Sequence, residues 1–458
     1  MEKHSVNPLP DAPRFKALLG PSFILLGLGL GSGEFILWPY LTSNWGMGII
    51  WGAILGVTLQ FFINMEIERY TLATGESVFV GFARRYKNLP YWFILSTFLA
   101  WIWPGIIATS ARLLGEVLGI ANINLFGIGL LVLIGLILTL GPVLYRTVEK
   151  FSFILISISV PAIFVLVLYL STKADVIDLF SGVINFGNLP KGLPFASFLA
   201  AFAFSGAGGN LNLAQSFYIK EKGYGMGKYG GKITSILTGL RHGEPMARRE
   251  LRLTGSKFEI NKENLLKFKE WWKVTNLEHF LIFWLGGVVS ICLLALLAYS
   301  TVHGLSGLPT GVEFIVFESA VISQKLGLLV GTLFLVIGGL MLFNTQLTVL
   351  DATSRIMAEN LLILKKVGNL PKIYYSFLWL QIVFGIIIFI FNFGQPLLLL
   401  TISAVLNAIA MFVHIGLTLN LNLRDLEKEI RPNLFRITMM IIAFLFFGYF
   451  SLKTLNVF

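Results

Sequence analysis

The chain has 458 residues, 56% of them apolar and 13% charged, with a mean hydropathy of +0.79. Soluble domains carry about 25% charged residues and no apolar runs of membrane-crossing length, so an ordinary soluble enzyme or binding module is excluded. The single cysteine, Cys292, likewise excludes an internal disulfide framework, and the net charge of +11 has to be read from its placement.

In chain order the apolar runs cover residues 20–41, 46–69, 90–117, 123–140, 151–170, 195–217, 278–300, 326–349, 373–392, 396–418 and 435–456. Each is near the roughly 20 residues that a helical crossing needs. Hydrocarbon offers a backbone no hydrogen-bond partners, so a crossing is helical or part of a closed barrel. These runs lack the alternation of barrel strands. The expectation is an all-α integral membrane protein of about 11 spans. Its first run follows a polar leader and is too long for the apolar core of a secretory signal, so it is expected to stay as a span.

With the N-terminus in the cytoplasm, residues 1–19, 70–89, 141–150, 218–277, 350–372 and 419–434 lie inside. These segments and the adjoining span ends hold roughly thirty of the 35 Lys and Arg, as the basic bias of cytoplasmic loops requires. The surplus is therefore topological. It points to a multi-pass protein of the cell membrane and away from nucleic acid, and it offers anionic lipid a surface at the 218–277 loop. That loop carries the basic cluster Arg241, Arg248 and Arg249, then a stretch ending in Trp271-Trp272-Lys273 that is expected to lie along the membrane surface. A second interfacial helix is expected over residues 311–324.

The chain thus divides into an N-terminus (1–19), a first five-helix unit (20–170), an outer loop (171–194), a second five-helix unit holding the basic loop (195–418), and a linker with an eleventh helix (419–458). Two spans are interrupted at matching places. Span one is broken by Gly31-Ser32-Gly33-Glu34 and span six by Ser205-Gly206-Ala207-Gly208-Gly209-Asn210. Paired interruptions in two halves are the sequence mark of an inverted-repeat transporter with its substrate site at mid-membrane. Unwound backbone is tolerated there only where it lines a cavity or binds something, so all ten residues are expected to contact substrate. Gly27 and Gly29 read as helix packing.

An acidic residue deep in a span is costly and usually functional, which makes Glu34 a cation ligand, an amine partner or a proton carrier. Asn210 is a ligand or a helix-to-helix bond. Gln60 and Asn64 in span two, Asn344, Thr345 and Gln346 in span eight, and Ser403 and Asn407 in span ten are further polar groups inside spans. Glu34, Thr345, Asn407 and the i,i+4 pair Asp351–Arg355 are the coupling or gating candidates, the pair reading by default as an intrahelical ion pair. Arg112 and Glu116 repeat that spacing in span three.

Other motifs fail. Residues 225–230 spell GxGxxG, but no strand precedes them, and no Gly-Lys is followed by Ser or Thr. Nucleotide binding and ATP-driven pumping are therefore unsupported. No two histidines have metal-ligand spacing, and His414 reads as a packing residue. No nucleophile–base pair stands out, so neither a cofactor nor enzymatic activity is expected.

Against this background the chain resembles, distantly, the Nramp family of divalent metal transporters within the amino acid–polyamine–organocation superfamily. The resemblance rests on Gly20-Pro21-Ser22-Phe23, the second span running into Glu76, Pro104-Gly105-Ile106-Ile107-Ala108-Thr109, Asn210-Leu211, and Arg424-Asp425-Leu426 before the last span. It implies the LeuT-type fold, two inverted five-helix repeats plus one extra helix, and import of manganese, iron or related ions with protons.

The family's chemistry is not kept. Its usual Asp-Pro-Gly-Asn falls on Gly31-Ser32-Gly33-Glu34, its Met-Pro-His on Ala207-Gly208-Gly209, and its acidic pair of span three on Ile102 and Gly105. Of the usual ligands only Asn210 remains, so Glu34 and Asn210 are the implied metal ligands. Losing the soft thioether argues against selectivity for iron or manganese over harder ions, whereas oxygen ligands suit a harder divalent cation, magnesium or manganese. The same breaks also resemble those of related amino-acid transporters, with Phe202-Ala203-Phe204-Ser205-Gly206 as the second. The expectation is a secondary transporter in which spans one, two, six and seven rock against the rest, carrying a hard divalent cation. The alternatives are a transporter of a small amino acid or carboxylate, and a non-transporting sensor.

Overall fold

The computed structural model describes residues 4–13, 20–140, 144–230, 253–366, 368–392 and 395–455. The cluster Arg241, Arg248 and Arg249 lies outside the described residues. Among those described, ten helices are long and apolar enough to cross a membrane. They are span one (Pro21–Trp45), two (Met47–Thr74), three (Leu89–Leu118), four (Ile123–Leu140), five (Val148–Leu170), seven (Lys262–Val302), eight (Leu328–Lys365), nine (Leu370–Ile390), ten (Pro396–Asp425) and eleven (Leu434–Leu455). Span six is in pieces: Phe195–Ala203, a 3-10 turn over Gly209–Ala214, and Gln215–Lys222. Its break hides it from a search for long helices.

Two expectations need correction. The stretch ending in Trp271-Trp272 is not a separate surface helix. Lys262–His279 runs through a π-helical turn, Phe280–Leu285, into Gly286–Val302 as one helix. Its tryptophans pack on protein: Trp271 is buried and donates its indole N–H to the Pro10 carbonyl at 2.7 Å, and Trp272 lies 3.8 Å under the Arg69 guanidinium. Span eight, expected to end near residue 349, continues to Lys365. Asp351, Arg355, Glu359 and Asn360 are all buried there, so neighbouring helices rather than lipid stabilise the added turns. Residues 311–324 do form a helix, Glu313–Leu326, with Phe314 and Ile315 buried.

Spans three, four, eight and nine pack on one another as one layer. Spans one, two, six and seven pack as another, with span five beside one, seven and eight, and span ten against three, six and eleven. Residues 5–10 are fastened over one face of this assembly. Ser5–Val6 pairs in parallel with Ser256–Lys257, Leu9 is buried, and Tyr229 donates its hydroxyl to the Pro8 carbonyl at 2.7 Å.

Candidate substrate site at two helix breaks

Span six breaks because two successive residues take left-handed backbone, Gly208 at φ +71 and Gly209 at φ +57, a region that costs glycine little and other residues much. The break strips carbonyls and N–H groups of their i→i−4 partners, and side chains of neighbouring spans replace them. Gln60 of span two donates to the Ala203 carbonyl at 3.0 Å and accepts from the Gly208 N–H at 3.2 Å. His414 of span ten donates Nε2–H to the Gly209 carbonyl at 2.9 Å. Asn212 then donates to Gln60 Oε1 at 3.1 Å and Asn64 Oδ1 at 2.7 Å.

Span one is interrupted more gently than expected. Helix Pro21–Gly29 passes through a turn at Leu30 and Gly31 into a π-helical turn, Ser32–Leu37, and on to Trp38–Trp45. A π-turn offsets the hydrogen-bond ladder instead of abolishing it. Thr345 of span eight donates to the carbonyls of Gly27 at 2.9 Å and Met341 at 3.1 Å.

The two breaks meet backbone to backbone. A Cβ built on Gly33 lies 1.7 Å from the Phe204 carbonyl oxygen, and one on Gly29 lies 3.0 Å from Gly206. On Gly31 it meets Thr345 Oγ1 at 2.4 Å, and on Gly206 it meets Gln60 Oε1 at 2.6 Å. At Gly33, where the opposing atom is backbone, only glycine permits this approach. Ser205 accepts from the Trp38 indole at 2.8 Å and donates to the Ala201 carbonyl at 2.9 Å. Ser32 and Ala207 are buried in their respective breaks. The site is shut.

Of the implied ligands, Glu34 is 1% exposed, its Oε2 has no hydrogen-bond partner, and its Oε1 lies 3.7 Å from a Cβ built on Gly287, so it faces span seven. Asn210 turns the other way, donating to Ser96 at 2.8 Å and Thr97 at 2.9 Å in span three. Asn407 donates to the Ser403 carbonyl at 3.0 Å, and its unpartnered Oδ1 stands 1.7 Å from a Cβ built on Gly209. Among the described residues no group of three or more His, Cys, Asp or Glu side chains is placed to hold a metal ion. A cation here therefore has one carboxylate and neutral oxygens as its nearest donors.

The pair Asp351–Arg355 forms as expected, at 2.9 Å, and joins a larger cluster. Arg355 also reaches Glu221 at the end of span six, and Tyr374 donates to Asp351 at 2.9 Å. This buried network ties the second half of span six to span eight. On the same face Glu76 pairs with Arg84 at 2.9 Å and His4 at 3.2 Å. Burial alone raises a carboxyl, but the hydrogen bonds and charges of His4 and Arg84 outweigh it and bring Glu76 down to about 2. On the opposite face Arg112 binds Glu116 at 2.6 Å and Glu313 at 2.7 Å, joining span three to helix Glu313–Leu326. Sequence reasoning gave Gln60 and His414 no role at the break and passed over Glu221. An amide in mid-span was the available signal for Gln60, whereas nothing marked Glu221.

No protein-family model matches the chain, and no curated protein matches it in sequence. Among solved structures it is similar to the Eremococcus coleocola manganese transporter in complex with an aromatic bis-isothiourea substituted compound, with a TM-score of 0.72, 13% identity, and coverage of 98% of this chain and 89% of that one. It is also similar to Mhp1, a nucleobase-cation-symport-1 family transporter in a closed conformation with bromovinylhydantoin bound (TM-score 0.54, 15% identity, 98% and 96% covered). A third likeness is MhsT in complex with L-phenylalanine (TM-score 0.53, 13% identity, 99% of both chains covered). These likenesses establish an all-α membrane fold of the LeuT type.

Proposed function

We propose that this multi-pass protein is a secondary transporter working by alternating access in the cell membrane, N-terminus inside, and that its substrate is a hard divalent cation such as magnesium or manganese. The observation that carries the proposal is Glu34. Its carboxyl is buried in the break of span one with one oxygen unpartnered, and it is in no ion pair among the described residues. A buried carboxylate needs a counter-charge or a proton, and a bound cation supplies the former. Asn407 Oδ1, also unpartnered, stands at the other break. The resemblance to metal transporters supports the same class.

Part of the backbone that an amino acid would use at the second break is already engaged. The Gly208 N–H is held by Gln60, and the Ala203, Gly27 and Gly209 carbonyls accept from Gln60, Thr345 and His414. That weighs against amino-acid transport.

Calorimetry of the purified protein with magnesium, with manganese and with a panel of amino acids tests the reading. The expected result is metal binding that weakens at least about tenfold in Glu34→Gln, the scale of one lost ion contact of ~1.4 kcal/mol. Amino-acid binding that survives chelation overturns the cation assignment. Absence of any binding, together with absence of counterflow in liposomes, overturns transport and leaves a sensor.

A further inference from the structure

On the face opposite the N-terminus, the segment read from sequence as an outer loop contains a helix, Lys173–Ile184. It follows span five after Ser171 and Thr172 and begins with a capping box. Thr172 accepts from the Asp175 N–H at 3.3 Å and donates its own N–H to the Asp175 carboxylate at 2.7 Å. Its 12 residues reach about 18 Å, short of the roughly 30 Å of a crossing. It runs instead across the ends of other spans. A Cβ built on Gly182 lies 2.1 Å from the Met47 carbonyl oxygen at the start of span two, and Asp178 accepts from the Tyr299 hydroxyl of span seven at 2.9 Å. Just beyond the helix, the Asn188 carbonyl accepts from the Trp51 indole of span two at 3.0 Å.

The helix has three sides. Leu179 and Gly182 are buried and Val176 and Val183 half-buried on the side that packs against protein. Ala174, Asp178 and Ser181 are exposed on a polar side. Between these, at about 100° per residue, Ile177, Phe180 and Ile184 share an arc of about 60°. They are 66%, 66% and 82% exposed, and Ile184 is the most exposed large apolar side chain among the described residues.

A contiguous apolar patch of this kind marks contact with a membrane or a partner, and the surroundings supply lipid. The last turns of span five, immediately before the helix, expose Val165, Leu168 and Tyr169, the surface that a crossing helix presents to acyl chains. An apolar arc beside a polar one, on a helix too short to cross, is the pattern of a helix lying in the membrane interface. Helix Glu313–Leu326, on the same face, is the contrast. It buries Phe314, Ile315 and Ile322, and its exposed residues are Glu313, Ala320, Gln324 and Lys325.

We propose that Lys173–Ile184 is an in-plane anchor. Ile177, Phe180 and Ile184 insert among the acyl chains of the leaflet opposite the N-terminus, and the contacts of Gly182 and Asp178 tie the ends of spans two and seven to that leaflet. The partner is the hydrocarbon of bilayer lipid, with no particular headgroup required. The anchor goes beyond the transport reading and stands whether or not that reading holds.

Spin labels in the full-length Cys292→Ser protein, reconstituted in phosphatidylcholine vesicles, test it. They are attached to cysteines introduced singly as Ala174→Cys, Ile177→Cys, Phe180→Cys, Ser181→Cys and Ile184→Cys. All five positions are exposed, so the labels leave the packing on Met47 intact, and each reports even if another variant fails to fold. Power saturation compares access to oxygen, which enters lipid, with access to a water-soluble nickel chelate. The oxygen-to-nickel ratio is expected to be at least about fivefold higher at 177, 180 and 184 than at 174 and 181. Nickel access at all five positions without that alternation puts the helix in water and overturns the proposal. Spin–spin broadening at 177, 180 and 184 that vanishes on dilution with unlabelled protein overturns it too, because a second copy of the chain would then cover the stripe.

Discussion

Replacing Gly33 with alanine puts a methyl carbon 1.7 Å from the Phe204 carbonyl oxygen. Carbon and carbonyl oxygen in contact stand about 3.3–3.6 Å apart, so the two breaks must part by roughly 1.6–1.9 Å. Both partners are backbone, and no flexible side chain can yield. Overpacking costs about 1–3 kcal/mol, and backbone on both sides places this case near the top of that range. The cost falls only on conformations in which spans one and six touch. At ~1.4 kcal/mol per factor of ten, 2–3 kcal/mol shifts the closed-to-open equilibrium roughly 30- to 160-fold. A cysteine at Ser32, in a Cys292→Ser background, reports the shift through its labelling rate with a membrane-impermeant maleimide, because Ser32 is 1% exposed when the breaks meet. Labelling is expected to accelerate more than tenfold in Gly33→Ala. Gly129→Ala is the control, since nothing lies within 4 Å of the added carbon, and it should change nothing. Unchanged labelling and unchanged thermal stability in Gly33→Ala would refute the close packing of the breaks.

Other substitutions probe separate links. Gln60→Ala leaves the Ala203 carbonyl and the Gly208 N–H without partners, at about 1–3 kcal/mol each. It should lower the thermal midpoint in detergent and raise amide exchange over residues 203–212. Arg355→Ala strands Glu221 and Asp351 in the interior, an expected loss of about 3–5 kcal/mol, whereas replacing all three together with Gln, Asn and Met should cost much less by the same thermal assay. Outside the spans, burial pushes Glu318 up to about 8 from 4.5, against the opposing Thr301 hydrogen bond. A raised carboxyl binds more protons folded than unfolded, so stability falls as pH rises from 4.5 to about 8 and is flat above, at most about 1.4 kcal/mol per pH unit. Thermal midpoints across that window should decline in wild type and decline less in Glu318→Gln.

The crossings were legible because lipid enforces long apolar helices, and both breaks were legible because glycine clusters inside such helices have few other uses. Polar turns buried by neighbouring helices were not. Span eight runs past Asp351, and span seven begins at Lys262, because burial against protein replaces hydropathy there. The basic and tryptophan-rich stretch was misread for the same reason: Trp271 and Trp272 meet Pro10 and Arg69, partners distant in sequence. At the site, Gly31 lies against Thr345 and Gly33 against the Phe204 backbone. That Gln60 and His414 would take over the hydrogen bonds of the second break follows only from which spans lie side by side. Asn210 shows the same limit, since its position after the break is visible in sequence and its turn towards Ser96 and Thr97 is not.

Alternating access itself is tested by distance measurement. Spin labels at Lys228, beyond span six, and Lys372, at the start of span nine, in the Cys292→Ser background lie on the layer proposed to move and on the layer proposed to stay fixed. Pulsed EPR in lipid nanodiscs is expected to show two separations whose proportions change when manganese is added and no longer change in Glu34→Gln. A single separation, indifferent to manganese and to the state of Glu34, would contradict a substrate site made by the two breaks.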